Sequence, residues 1–168
     1  MKPDTLSFIR LMKHPLKFRM FLLAKLPAAF FSGVRIKELD EKRCTTVVPF
    51  KWLTQNPFRS TYFASLGMAA EMSTGVLAMM HVYKRQPAVS MLVVKVEANY
   101  FKKATGKTFF TCTDGEQIEK TIEESIVTGD PKIIIAKSVG INESAETIAE
   151  FYITWSFKTK LSTPAMGK

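Results

Sequence analysis

One side chain in this sequence is chemically out of place. In QNPFRSTYFASLGMAAEMSTGVLAMMHVYK (55–84), which reads as an entry loop and then one long helix rich in Ala, Gly, Ser, Thr and Met, Glu71 is the single acid. Its helical neighbours three and four residues away are Gly67, Met68, Thr74 and Gly75, so no cation within a turn can pair with it. A buried, unpaired carboxylate is costly and tends to hold its proton. Three outcomes are open: Glu71 faces water, a partner reaches it from elsewhere in the fold, or its raised proton affinity serves as a general base. Nucleophile and metal chemistry find less support. Cys44, Cys112, His14 and His81 are the whole Cys and His content, with no CxxC and no zinc spacing. Neither His sits in a motif that would complete a Ser-His-Asp or Cys-His set. The thiols read as small buried hydrophobes, and no metal or cofactor is expected.

The elements that would position Glu71 follow from periodicity. Asp4 is expected to cap a first short helix carrying Leu6, Phe8 and Ile9 inward. Pro15 suits the first turn of a second, running to Leu26, and Gly33 ends the helical region after Pro27. VRIKELDEKRCTTVVPF reads as a hairpin turning near Asp40 and Glu41. The central helix follows, about 24 residues and near 36 Å long, with Ser60 and Thr61 as caps in front of it. Its two glycines, Gly67 and Gly75, suggest close approach by a sheet or a second subunit. SMLVVKVEANYF alternates, placing Leu92, Val94, Val96, Ala98 and Tyr100 on one face. Further strands are expected at GKTFFTCT, KIIIAKSVG and AEFYITWSFK, with an amphipathic helix repeating Ile118, Ile122 and Ile126. The result is an α+β chain of one domain over 1–168: helical segments over 1–32, then a core over 33–160 in which an antiparallel sheet wraps one long helix. The last residues, STPAMGK, are polar and lack a periodic pattern.

Charge narrows the partners. The formal net charge is +9, and the N-terminal helices carry Arg10, Lys13, Lys17, Arg19 and Lys25 against Asp4 alone. Attraction to anions follows, but no nucleic-acid-binding motif accompanies it. The N-terminal segments pack within the protein in the favoured reading, with a membrane surface as the weaker one. MFLLAKLPAAFFSG is interrupted by Lys25 and too short to span a bilayer, so a cytoplasmic location is expected.

The long helix wrapped by antiparallel strands resembles the hotdog-fold thioesterases. Many bacterial members have an Asn, a short loop ending in His-Gly-Gly, and a catalytic carboxylate nine residues after the His. Here Asn56 takes the Asn position, Tyr62, Phe63 and Ala64 replace His-Gly-Gly, and Glu71 falls nine residues after Tyr62. LKFRMFLLAKLPAAFFSGVRI and NPFRSTYFASLGMAAE resemble an uncharacterised branch of that superfamily, and the likeness runs from about Leu16 to Lys158.

The resemblance implies an acyl thioester substrate, in the first place acyl-CoA, at a site shared by a homodimer or tetramer. Backbone N–H groups near Phe63 and Ala64 would face the thioester carbonyl, and Glu71, from the same or the other subunit, would activate water or attack. Asn56 would orient water or carbonyl, though a plain capping role carries equal weight. The acyl chain would lie near Phe63, Met68 and Met72. Lys102, Lys103 and Lys107 would meet the CoA phosphates, or stand simply as exposed lysines. The missing His-Gly-Gly keeps a non-catalytic acyl-CoA- or lipid-binding protein as the alternative. A hotdog dehydratase fits less well, because Tyr62 stands where its His belongs.

Overall fold

The computed structural model describes residues 3–160. Three short helices come first: α1 (Pro3–Lys13), α2 (Pro15–Lys25) and α3 (Pro27–Ser32). Proline opens each one, where a missing N–H costs nothing. Asp4 lies in the first turn of α1 rather than capping it, so its carboxylate meets the helix dipole instead. His14 caps α2, with Nδ1 accepting from the Lys17 N–H at 3.5 Å. Gly33 ends α3 in the left-handed conformation, φ 77°, and donates its N–H to the Ala29 and Phe30 carbonyls.

The core is a six-stranded antiparallel sheet in the order β1-β2-β4-β5-β6-β3, built from β1 (Arg35–Leu39), β2 (Cys44–Val48), β3 (Val89–Tyr100), β4 (Thr108–Cys112), β5 (Lys132–Asn142) and β6 (Thr147–Thr159). The β1–β2 hairpin turns at the expected place, where Asp40 Oδ1 accepts from the N–H groups of Lys42 and Arg43 at 2.9 Å each. On β6 the expected face is real: Ala149, Phe151, Ile153, Trp155 and Phe157 are all buried. The strand β3 departs from the alternation read in the sequence. A bulge between Val93 and Lys95 shifts its register against β6. Leu92 therefore pairs with Ser156, while Val96, Ala98 and Tyr100 pair with Ile153, Phe151 and Ala149 of the inward face. One extra residue moved Leu92 to the opposite side of the sheet from its expected companions.

The long helix α4 (Phe63–Val82) is 20 residues against the roughly 24 expected, and 55–62 form the entry loop in front of it. It is long and apolar enough to cross a membrane by length and composition, yet 67% of that window is buried here as the core helix. Its small side chains let three hydroxyl contacts tie it to the sheet. Thr46 Oγ1 donates to the Ala69 carbonyl at 2.7 Å, Ser73 and Ser138 share a hydrogen bond at 2.8 Å, and Trp155 Nε1 donates to Thr74 Oγ1 at 2.9 Å. The last helix, α5 (Gly115–Thr128), packs against α4, β5 and β6 through Ile118 and Ile122, both fully buried.

Of the two helix glycines, only Gly75 answers to close approach. A Cβ there would stand 2.9 Å from Glu71 Oε1 and 3.3 Å from the Trp155 ring. A Cβ on Gly67 would meet only Phe151 at 3.6 Å, an ordinary contact.

Candidate functional site

Glu71 sits on the flank of α4 that faces the N-terminal helices. Its side chain lies over Gly75, with Oε1 2.9 Å from where a Cβ on Gly75 would stand. Around it lie Phe18, Phe21 and Leu22 of α2, Met12 of α1 and Met91 of β3, lining a half-open pocket of about 60 Å³ in which Glu71 is only partly buried and its carboxylate keeps contact with solvent. Among the described residues no hydrogen bond or ion pair reaches the carboxylate. Burial alone pushes the Glu71 carboxyl above the usual range. The helix beneath is well anchored, because Thr74 Oγ1 accepts from Trp155 and donates to the Glu71 backbone carbonyl at 2.9 Å. The structure gives Glu71 an apolar lining and no partner among the described residues, with its carboxylate still in contact with solvent.

The other predicted residues gather at the N-terminal end of α4. The loop 55–62 is organised by Asn56, whose Oδ1 accepts from the Phe58 N–H at 3.0 Å and from both the N–H and Oγ of Ser60 at 3.2 Å. That oxygen is spent on holding the loop, which favours a positioning role for Asn56. The caps expected at Ser60 and Thr61 do not form. Ser60 turns to Asn56, and Thr61 donates its Oγ1 and N–H to the Ala104 carbonyl at 3.2 and 2.7 Å. The N-cap position falls on Tyr62, which makes no side-chain cap. The N–H groups of Ser65 and Leu66 return to the Tyr62 carbonyl, whereas those of Phe63 and Ala64 have no partner among the described residues. Two free donors at a helix N-terminus make a ready site for negative charge.

Phe63, but not Ala64, lines a cleft of about 480 Å³ between the loop and the end of β3, with Phe58, Tyr62, Tyr100 and Phe101 among its other walls. Tyr62 and Phe63 meet edge to face at 4.8 Å, both exposed to solvent. The expected acyl position divides: Phe63 lines this cleft, Met72 lines the Glu71 cavity, and Met68 packs against the core and lines neither. The lysines divide too. Lys102 and Lys103 stand at the cleft, with Lys102 paired to Glu146, whereas Lys107 pairs with Glu143 at 2.9 Å and lines a separate groove beside β1. The turn at buried Ala104 separates them.

Glu71 and the free N–H groups lie about two turns apart on one rigid helix, roughly 12 Å along its axis at 1.5 Å per residue. Within one chain they cannot touch the same reacting carbon, since reacting atoms must approach to about 3–3.5 Å. Sequence reasoning missed the roof over Glu71. The signal for it was present: α2 carries apolar residues on opposite sides, more than one packed face requires.

One long helix against an antiparallel sheet, with a carboxylate on its flank and open donors at its start, places the chain in the hotdog-fold class. Residues 17–155 match the family described as domain of unknown function DUF4442, and the chain belongs to that family. Among solved structures it is similar to a Pseudomonas aeruginosa protein of unknown function described as a probable thioesterase. That match has a TM-score of 0.73 and 19% identity, and covers 89% of this chain and 99% of the other. It is also similar to a Haemophilus influenzae thioesterase, at TM-score 0.61 and 14% identity, covering 86% and 92%. No curated protein matches the sequence. At these identities the solved structures establish the fold, and chemistry must be argued from the site.

Proposed function

We propose that this protein hydrolyses an acyl thioester, in the first place acyl-CoA, at a site completed across a homodimer. The observation that carries the reading is the pair of features on α4: a partly buried Glu71 with an apolar lining and a raised proton affinity, and free N–H groups at Phe63 and Ala64. The first suits a general base and the second suits an oxyanion, and their separation asks for two chains. The similar structures described as a probable thioesterase and a thioesterase support a thioester substrate. The edge strand β3 supports the dimer, because among the described residues its outer side has no partner strand and Leu92, Val94 and Val96 are exposed along it. Two copies pairing there would bury a long edge and bring two α4 helices near one another.

In this mechanism the thioester carbonyl lies against the Phe63 and Ala64 N–H groups, which take up the charge that develops on oxygen. Glu71 of the second chain, in its carboxylate form, takes a proton from water as the water oxygen attacks the carbonyl carbon. As the tetrahedral adduct collapses and the C–S bond breaks, the Glu71 carboxyl returns that proton to the leaving sulfur. Asn56 holds the loop in shape. Lys102 and Lys103, at the cleft rim, suit the CoA phosphates.

Phe63 is the first residue of α4, and Tyr62 before it is already extended at φ −62°, ψ 136°. Proline fits such a position and deletes the N–H. Phe63→Pro is therefore expected to melt within a few degrees of Phe63→Ala, yet to lose a further ~10²–10³-fold in kcat. Equal rates for the two variants would remove the backbone donor from the mechanism.

A further inference from the structure

We propose that the outer face of α2 docks this protein onto anionic phospholipid bilayers. The inference rests on neither Glu71 nor thioester chemistry. The helix α2 carries apolar residues on opposite sides, but only one side is covered: Phe18 and Leu22 are buried, with Phe21 packed against the core beside them. At about 100° per residue, Leu16, Met20 and Leu23 fall in a wedge of roughly 60° on the opposite side. They are 67%, 58% and 42% exposed. Lys17 projects to one side of that wedge and Arg19 to the other, the arrangement in which long cationic side chains reach headgroups while their neighbours enter the acyl layer.

The patch continues onto α3. Arg19 stacks over the Phe30 ring at 4.4 Å, and Phe30 meets the exposed Phe31 edge to face at 5.3 Å. Charge selects the occupant. From Thr5 to Lys37 the chain has no Asp or Glu, while α1 and α2 carry Arg10, Lys13, Lys17, Arg19 and Lys25. A second copy would bring the same cations against these and repel, whereas an anionic lipid surface neutralises them. The helices are also seated for the task. Phe8, Met12, Phe18, Leu22 and Ala29 anchor them, so the exposed face is held in place before any membrane is met.

The experiment is co-sedimentation of the full chain with vesicles of phosphatidylcholine alone and of phosphatidylcholine and phosphatidylglycerol in roughly equal parts. Wild type is expected to bind the anionic vesicles at least ~10-fold more strongly than the neutral ones. Met20→Glu/Leu23→Glu should lose that binding ~10-fold or more while keeping wild-type circular dichroism. Lys13→Gln/Lys17→Gln/Lys25→Gln, which leaves the apolar stripe intact, should bind anionic and neutral vesicles alike. Wild type that stays in the supernatant, or that binds both vesicles equally, overturns the proposal. So does a Met20→Glu/Leu23→Glu variant that binds undiminished, or one whose only change is a smaller oligomer, which would assign the patch to a second copy. Hydrolysis of soluble substrate by these variants reports separately on the thioesterase reading.

Discussion

Replacing Glu71 by Gln is expected to lower kcat for thioester hydrolysis by ~10²–10⁴-fold while making the protein harder to unfold at neutral pH. Both effects have one cause. The carboxylate lies folded over Gly75 among apolar side chains, with no hydrogen bond or ion pair among the described residues. Such a group binds its proton more tightly in the folded chain than in the unfolded one. The linkage has a definite sign. At low pH the carboxyl is protonated in both states and costs the fold nothing. As pH rises past the ordinary carboxyl value of 4.5, the unfolded chain ionises first. Stability is then lost progressively until pH passes the raised folded value. Gln has no proton to lose, so Glu71→Gln should match wild type in acid and melt higher at neutral pH. The wild-type rate should rise with pH as the base form appears, over a range above that of a free Glu. Thermal melts and rates measured across pH on both proteins check the two halves together. Equal melting at neutral pH would mean that Glu71 is better solvated than its surroundings indicate.

The largest effect on stability is expected at Gly115→Ala, at the start of α5. Gly115 opens α5 against the β1–β2 hairpin, where its N–H donates to the Lys42 carbonyl at 3.0 Å. A Cβ there would stand 2.2 Å from the Glu41 carbonyl oxygen and 2.8 Å from Lys42 backbone atoms. The obstacle is backbone, and the hairpin turn is itself pinned by the two hydrogen bonds to Asp40. Relief requires α5 to withdraw, which would draw Ile118 and Ile122 from the core. The expected cost is ~3 kcal/mol or more, seen as a lower urea midpoint at unchanged m. Gly129→Ala is the control. Gly129 has φ 75° but nothing within 4 Å of its missing Cβ, so only the backbone strain of ~1–2 kcal/mol applies.

Much of the frame was legible because it rests on local periodicity. The buried face of β6, the hairpin turn at Asp40 and the Ile118–Ile122 stripe of α5 each follow from residues two to four apart. What escaped was decided elsewhere in the fold. The bulge at Val93–Lys95 has no composition signature, yet it moves Leu92 to the other side of the sheet. Ser60 and Thr61 are good caps by residue type, but Asn56 and the Ala104 carbonyl took their hydroxyls. That tertiary competition leaves the α4 N-terminus open. Lys107 was grouped with Lys102 by sequence distance, while the turn at Ala104 sends it to another groove. For the site, Glu71 was visible as an unpaired acid, but its cage comes from α1 and α2, about fifty residues earlier. No window along the chain contains both.

The proposed site needs Glu71 from one chain and the α4 N-terminus of another, and subunit mixing tests that most directly. Glu71→Gln and Phe63→Pro are each expected to be nearly inactive alone. When the two are unfolded, mixed in equal amounts and refolded, half of the dimers pair one of each. Each such dimer holds one site with an intact Glu71 facing intact N–H groups, so the mixture should recover about a quarter of wild-type hydrolysis. A mixture no more active than its parents would contradict the shared site.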